Sequence, residues 1–198
     1  MAYPVLDRNQ TWRTIDWDPV DKVAYGMVCG TNMLFRYDVH DGPEGKFTLL
    51  SQLCAPMYRT SDPLDVPAAS LALALSQKDR TYYYFASVSG EFDYGLVKFG
   101  ASEREKFKDA LTASSKLPPC SFLVTYNLAT GKREDIGLLR TADGCYAYGM
   151  GGARADRDGR IWFVGAFEEN DPAYAIGKMR GEKMYSMGLG CYDPFTKQ

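Results

Sequence analysis

Three stretches of this chain repeat one pattern: an acidic turn, an aromatic strand, and a second strand that ends in Tyr-Asp or Tyr-Asn. The turns are Asp21-Lys22, Asp79-Arg80 and Asp158-Gly159, and they lead into Val23-Ala24-Tyr25, Thr81-Tyr82-Tyr83 and Arg160-Ile161-Trp162. The partner strands, Leu34 to Asp38, Leu123 to Asn127 and Leu189 to Asp193, share the form Leu-x-x-Tyr-Asp/Asn. The first two are followed at the same offset by Gly42 and Gly131. Such self-similarity constrains the fold more than length does, because each repeat is a supersecondary unit that buries its apolar face only against a neighbour.

The repeated unit has the form of a four-stranded antiparallel meander, which predicts β-propeller blades with strands a to d running outward from a central channel. The chain is therefore read as all-β, with about three blades in an incomplete ring, at 11–53, 69–139 and 147–198. In the first blade the strands lie near Trp12 to Asp16, Val23 to Cys29, Asn32 to Asp38 and Phe47 to Leu53. In the second they are Ser70 to Leu75, where Leu71, Leu73 and Leu75 alternate with small residues, then Thr81 to Ser87, Ser121 to Asn127 and Glu134 to Leu139. The third has Tyr148 to Ala153, Arg160 to Gly165 and Met187 to Asp193. Thr196-Lys197-Gln198 falls where Thr130-Gly131-Lys132 precedes strand d, so the third blade is expected to lack an outer strand of its own. Rings need about four to eight blades, so the remainder of a longer chain, a second copy or another subunit is expected to complete this one.

The excess length is unevenly distributed. The separation from the b-strand aromatic to the c-strand tyrosine is 12 residues for Tyr25 to Tyr37, 43 for Tyr83 to Tyr126, and 30 for Trp162 to Tyr192. In a meander the b–c and d–a loops share one rim and the a–b and c–d turns share the other, so one rim is elaborated and one is plain. Insertions on a repeat scaffold usually map to the binding face. The longer insertion, 88–119, carries Gly90-Glu91-Phe92-Asp93-Tyr94-Gly95. It continues into Ser102-Glu103-Arg104-Glu105, a capping box that predicts a short amphipathic helix over about 103–114.

Glu91, Asp93 and Tyr94 are candidate ligand contacts, carboxylates beside aromatics that suit a cation or a sugar ring; solvated loop acids are the plainer alternative. Glu168 and Glu169, in the third insertion, are placed on the same rim. The d–a connections add Tyr58-Arg59 and the segment from Arg140 to Tyr146. A guanidinium pairs bidentately with a carboxylate, and a phenol can donate or accept a proton. Tyr58, Arg59 and Tyr146 are therefore the candidate catalytic residues, with Arg140 a further ligand contact. Oxygen ligands of this kind suit Ca²⁺ or Mg²⁺, but no spacing matches a defined metal loop and no metal ligands are assigned. Tyr25, Tyr37, Tyr83, Tyr126 and Tyr192 are assigned to blade packing.

Lys and Arg number 23 against 25 Asp and Glu, and no basic face interleaved with aromatics is visible, which argues against a nucleic-acid partner. No apolar run approaches the roughly 20 residues of a bilayer span. Met1 to Gln10 lack a charged-then-apolar leader pattern, and the expectation is a soluble, cytoplasmic protein. The five cysteines, Cys29, Cys54, Cys120, Cys145 and Cys191, form an odd set without a C-x-x-C pair, which favours a reducing compartment and packed thiols. His40, the one histidine, falls in a c–d turn on the plain rim and is read as structural or solvated. Gly149-Met150-Gly151-Gly152 leads into a strand, so it is not a phosphate loop.

The segment Asp156-Arg157-Asp158-Gly159-Arg160-Ile161-Trp162-Phe163 resembles the Asp-x-Asp-Gly-x-Ile-Trp-Phe segment of the virginiamycin lyase, gluconolactonase and strictosidine synthase groups of propellers. The Leu-x-x-Tyr-Asp partner looks like their following strand. The likeness covers about two thirds of the chain at the level of repeat shape. It implies a propeller acting on a lactone, sugar or other small polar ligand near the channel, often with a divalent cation. Their metal-ligand and catalytic positions have no residue-by-residue match here, so none is carried over. The expected activity is that of a lyase or lactone hydrolase on a carbohydrate or small polar ligand; the alternative is a non-catalytic propeller scaffold that binds protein or glycan.

Overall fold

The computed structural model of the chain describes residues 15–28, 32–55, 72–87, 120–169, 175, 177–178 and 184–197. Among these residues the fold is all-β, with twelve strands: β1 Ile15–Asp18, β2 Val23–Val28, β3 Met33–Asp38, β4 Lys46–Gln52, β5 Leu73–Ser76, β6 Thr81–Ser87, β7 Ser121–Asn127, β8 Lys132–Leu138, β9 Ala147–Ala155, β10 Ile161–Glu168, β11 Gly177–Lys178 and β12 Met184–Tyr192. They form three four-stranded antiparallel sheets, in the orders β1-β2-β3-β4, β5-β6-β7-β8 and β9-β10-β12-β11. The arrangement is blade-like. The helix expected over 103–114 lies outside the described residues.

The repeat holds down to register. Tyr25 faces Arg36 and Met27 faces Leu34 in the first sheet; Tyr83 faces Thr125 and Phe85 faces Leu123 in the second; Trp162 faces Cys191 and Val164 faces Leu189 in the third. The bulge between the third and fourth strands also recurs, at Leu34/Phe35 and at Leu123/Val124. The recurring Asp or Asn after the tyrosine has a local cause. Its side chain accepts from backbone amides two or three residues on, from His40 to Asp38, from Thr130 to Asn127 and from Phe195 to Asp193, and so closes the turn. Before the b strands, Lys22, Arg80 and Gly159 share the left-handed backbone region, φ +56°, +55° and +86°.

The core consists of side chains caught between neighbouring sheets. Tyr82 and Tyr84 of β6 pack with Val23, Tyr25, Met27 and Leu34 of the first sheet. Tyr83 and Phe85, on the other face of the same strand, pack with Ile161, Phe163 and Tyr192 of the third. A strand buried on both faces has no polar side to present, and this is why Thr81-Tyr82-Tyr83-Tyr84-Phe85 shows no alternation. The outer strand β8 reads Lys132-Arg133-Glu134-Asp135, the charged pattern that blunts a sheet edge.

Two expectations are corrected. The third sheet does have a fourth strand, β11, which comes from within the b–c insertion and pairs only with Tyr185 and Met184. Cys54, Cys120 and Cys145 are buried as packed thiols, but Cys191 is exposed, because it lies opposite Trp162 on the outward face of the third sheet. Cys29 lies outside the described residues. His40 is exposed in the β3–β4 turn, on the plain rim.

Charges on the plain rim tie the first two sheets together. The Arg80 guanidinium grips Asp18 with two hydrogen bonds of 2.8 and 2.6 Å and also reaches Asp21 at 2.6 Å. Asp18 is fully buried. Burial alone would raise its pKa, but hydrogen bonds from Arg80, the Val20 amide and Gln77 outweigh that and hold it at about 2. A carboxyl depressed below its usual value stabilises the fold at pH above about 4 and loses that contribution as pH falls toward 2. Urea unfolding measured across this range should therefore show stability dropping with acid, and Asp18→Asn should flatten the drop. Arg80→Ala, which leaves Asp18 buried and unpaired, should cost about 3 kcal/mol at neutral pH.

Candidate functional site

The described candidate site residues lie on two neighbouring connections. Arg140 and Tyr146 sit at the two ends of the β8–β9 connection, and Glu168 and Glu169 lie where β10 ends. Tyr58, Arg59, Glu91, Asp93 and Tyr94 lie outside the described residues.

The β8–β9 connection is a closed turn. Arg140 and Tyr146 pair across its base as an antiparallel bridge, the Thr141 amide donates to the Cys145 carbonyl at 2.9 Å, and Gly144 donates back to Thr141 at 2.9 Å. Thr141 also donates its hydroxyl to Asp143, and that bond is the main reason the Asp143 carboxyl sits below the usual carboxylate range. Gly144 takes φ +87°, a region open to glycine at little cost.

Arg140, Tyr146 and Glu168 are brought together. The Arg140 guanidinium lies over the Tyr146 ring, 4.1 Å from its centroid, and its Nη1 donates to the Gly144 carbonyl at 2.8 Å. Glu168 Oε2 accepts from the Tyr146 amide at 3.0 Å, while the Glu168 amide donates to the Tyr146 carbonyl at 2.8 Å. Glu168 thus has a structural task, locking β10 to the start of β9. The Glu169 amide donates to the Met184 carbonyl at 2.8 Å, which joins β10 to β12. Burial pushes the nearby Tyr185 phenol well above its ordinary range, so it stays protonated.

Beside this cluster a cleft of about 350 Å³ opens between the β8–β9 connection and the third sheet. Arg140 stands on its wall; Tyr146, Glu168 and Glu169 do not line it. Phe163 and Phe167, 5.9 Å apart between ring centroids, provide apolar surface, and Gly188 and Gly190 of β12 face them. Gly190 is required by the rings. A Cβ at Gly190 would stand 2.4 Å from Phe163 Cζ and 2.9 Å from Phe167 Cζ. Sequence reasoning assigned neither the rings nor the glycines to a site. The available signal was Gly188-Leu189-Gly190, two glycines at strand period, which marks close approach by another group.

Among the described residues no group of three or more His, Cys, Asp or Glu side chains is placed to hold a metal ion. The side chains that do converge are one cation, a phenol ring, the Glu168 carboxylate engaged by the Tyr146 amide, and apolar surface, and the cation on the cleft wall can orient an anionic group against a planar or apolar body. No protein-family model matches the chain, and no curated protein is similar to it at a significant level.

Gly190→Ala should displace Phe163 and Phe167 and destabilise the protein by about 1–3 kcal/mol. Thermal unfolding followed by circular dichroism measures this, and an unchanged Tm would show that the rings can move without cost.

Proposed function

We propose that this chain forms part of a β-propeller whose elaborated rim binds a small carboxylate-bearing ligand, of the sugar-acid kind, in the cleft beside Arg140. Three features support the blade reading: a four-stranded antiparallel sheet in each unit, one register between the paired b and c strands, and one form of turn. The ligand reading rests on a single observation, the Arg140 guanidinium set over the Tyr146 ring, 4.1 Å from its centroid, at the wall of an apolar-floored cleft. The ring contact and the bond to Gly144 hold the guanidinium in place. Among the described residues its Nε and Nη2 protons have no acceptor, which leaves donors for a bidentate carboxylate contact.

In this reading Tyr146 acts as a platform, Phe163 and Phe167 bury the ligand's less polar face, and Glu168 positions Tyr146 through the backbone. Catalysis as a lyase or lactone hydrolase would be an addition to binding. It would draw on Tyr58 and Arg59 as well, and a turnover assay on the same sugar acids and their lactones distinguishes it from binding alone.

The test is titration of the full chain with D-glucuronate, followed by calorimetry. Arg140→Ala should weaken binding about tenfold or more, the loss of a charged hydrogen-bonded pair. Arg140→Lys should recover only part of it, because an ammonium cannot make the planar two-point contact. Binding unchanged in Arg140→Ala would end the proposal.

A further inference from the structure

We propose that the outward face of the third sheet docks on the outward face of the first sheet of a second copy, so that two chains close one ring of six sheets. The proposal rests on the blade reading; Leu189 of this face also lines the cleft, so the ligand is tested separately on a single-chain variant.

The contrast between repeat-equivalent positions carries it. Leu34, Leu123 and Leu189 occupy one position in the three sheets, and the first two are 0% and 1% exposed while Leu189 is 66% exposed. Met27 and Phe85 are buried, yet their counterpart Val164 is 46% exposed; Tyr25 and Tyr83 are buried, yet Trp162 is 38% exposed. In the first and second sheets these side chains are covered by the next sheet. The third sheet keeps the apolar character of the position and lacks the cover. Met187 adds to the same exposed surface. Burial of such side chains is worth about 1.5–3 kcal/mol each, so leaving them in water is a substantial unclaimed stabilisation.

The first sheet has the complementary face. Ile15 stands where Leu73 stands in the second sheet; Leu73 is buried against the preceding sheet, whereas Ile15 and its neighbour Trp17 are each more than half exposed. On the same face Val28 and Phe35 are already buried, packed with Tyr37 and Phe47, so the exposed apolar surface here is that of Ile15 and Trp17. The chain therefore carries both halves of its own repeating sheet-to-sheet contact, one at each end.

Charge points to a second copy as the occupant. Within the chain, Arg80 of the second sheet grips Asp18 and Asp21 of the first. Lys22 occupies the place of Arg80, with the same left-handed backbone, and is exposed. The acidic turn of the third sheet, Asp156 to Asp158, occupies the place of Asp18 and Asp21. Asp156 is held ionised, its pKa lowered to about 2 chiefly by the hydrogen bond from the Trp162 indole. Asp156 and Asp158 already pair with Arg160 of their own sheet at 2.9 and 3.4 Å, and docking the third sheet on the first sheet of a second copy sets Lys22 beside that turn as a further cation, in the place Arg80 takes within the chain. Applied twice about a two-fold axis, the contact closes, and six sheets fall within the four to eight of known rings.

Light scattering of the full chain at about 100 μM, a concentration that populates a dimer of micromolar Kd, should give twice 22.1 kDa. Val164→Asp and Ile15→Asp, both at exposed positions outside the cleft, should each yield the single-chain mass with a cooperative unfolding transition, its midpoint below that of the wild-type dimer because the stabilisation from association is lost. Lys22→Glu should weaken the dimer about tenfold, and adding Asp158→Lys to it should restore the dimer. A wild-type monomer at this concentration would overturn the proposal, as would a ladder of higher masses, a dimer that survives either apolar substitution, or no rescue by the charge exchange. D-glucuronate titration of Val164→Asp keeps this outcome separate from the ligand reading.

Discussion

The structure depends on the burial of one sheet between two others. β6 presents Tyr82 and Tyr84 to the first sheet and Tyr83 and Phe85 to the third, and each face finds rings or aliphatic side chains opposite: Tyr25 at 5.4 Å from Tyr82, Phe163 at 4.5 Å from Phe85, Tyr192 at 6.1 Å from Tyr83. Offset and tilted ring contacts at these distances add directional preference to the burial of large apolar areas. They set how the sheets sit against one another. The phenols extend that control, since Tyr83 donates to Asp79 at 2.5 Å and Tyr84 donates to the buried Asn32 at 2.8 Å.

Polar contacts refine what packing establishes. Arg80 spans the first two sheets through Asp18, Lys78 donates to the Asp158 carbonyl at 3.0 Å and so joins the second to the third, and Arg154 of β9 reaches Asp16 of β1 at 3.1 Å. The last pair brings the inner strands of the first and third sheets within one arginine's reach. Asp16 has its pKa raised by burial, against the pull of Arg154, so this contact is weaker than the Arg80 grip. Close backbone approach is the other device. Gly149 allows β9 to lie against Phe85, whose Cβ would stand 2.8 Å from a Cβ added there. The cleft beside Arg140 has the same origin, because Gly188 and Gly190 make room for rings that reach outward from the core.

Much of the fold was legible because its signals are local and repeated. β6 and β7 match the expected bounds residue for residue, and the turn chemistry of Asp38, Asn127 and Asp193 follows from side chains bonding to their own neighbouring amides. Strand ends elsewhere shifted by a few residues, as at β8, which begins at Lys132 and not Glu134, since hydrogen-bond pairing to β7 continues through charged residues that carry no apolar signal. β11 was not anticipated. A two-residue strand has no periodicity to read, and its pairing with Met184 and Tyr185 arises only once β12 is in place. The candidate site was legible in part: Arg140, Tyr146 and Glu168 were named and do lie together, while the bond from the Tyr146 amide to Glu168, a contact between two connections, had no signal along the chain.

By itself the sequence determined that this chain builds repeated antiparallel sheets, where their tight turns fall, and which rim carries the long connections. Each of these follows from alternation, Asx chemistry and spacing along the chain. Only the tertiary structure decided which apolar side chains are covered. Leu34, Leu123 and Leu189 are the same residue in the same motif, and nothing along the chain separates them; burial belongs to the space between sheets, and that space exists on the far side of the first two sheets but not of the third.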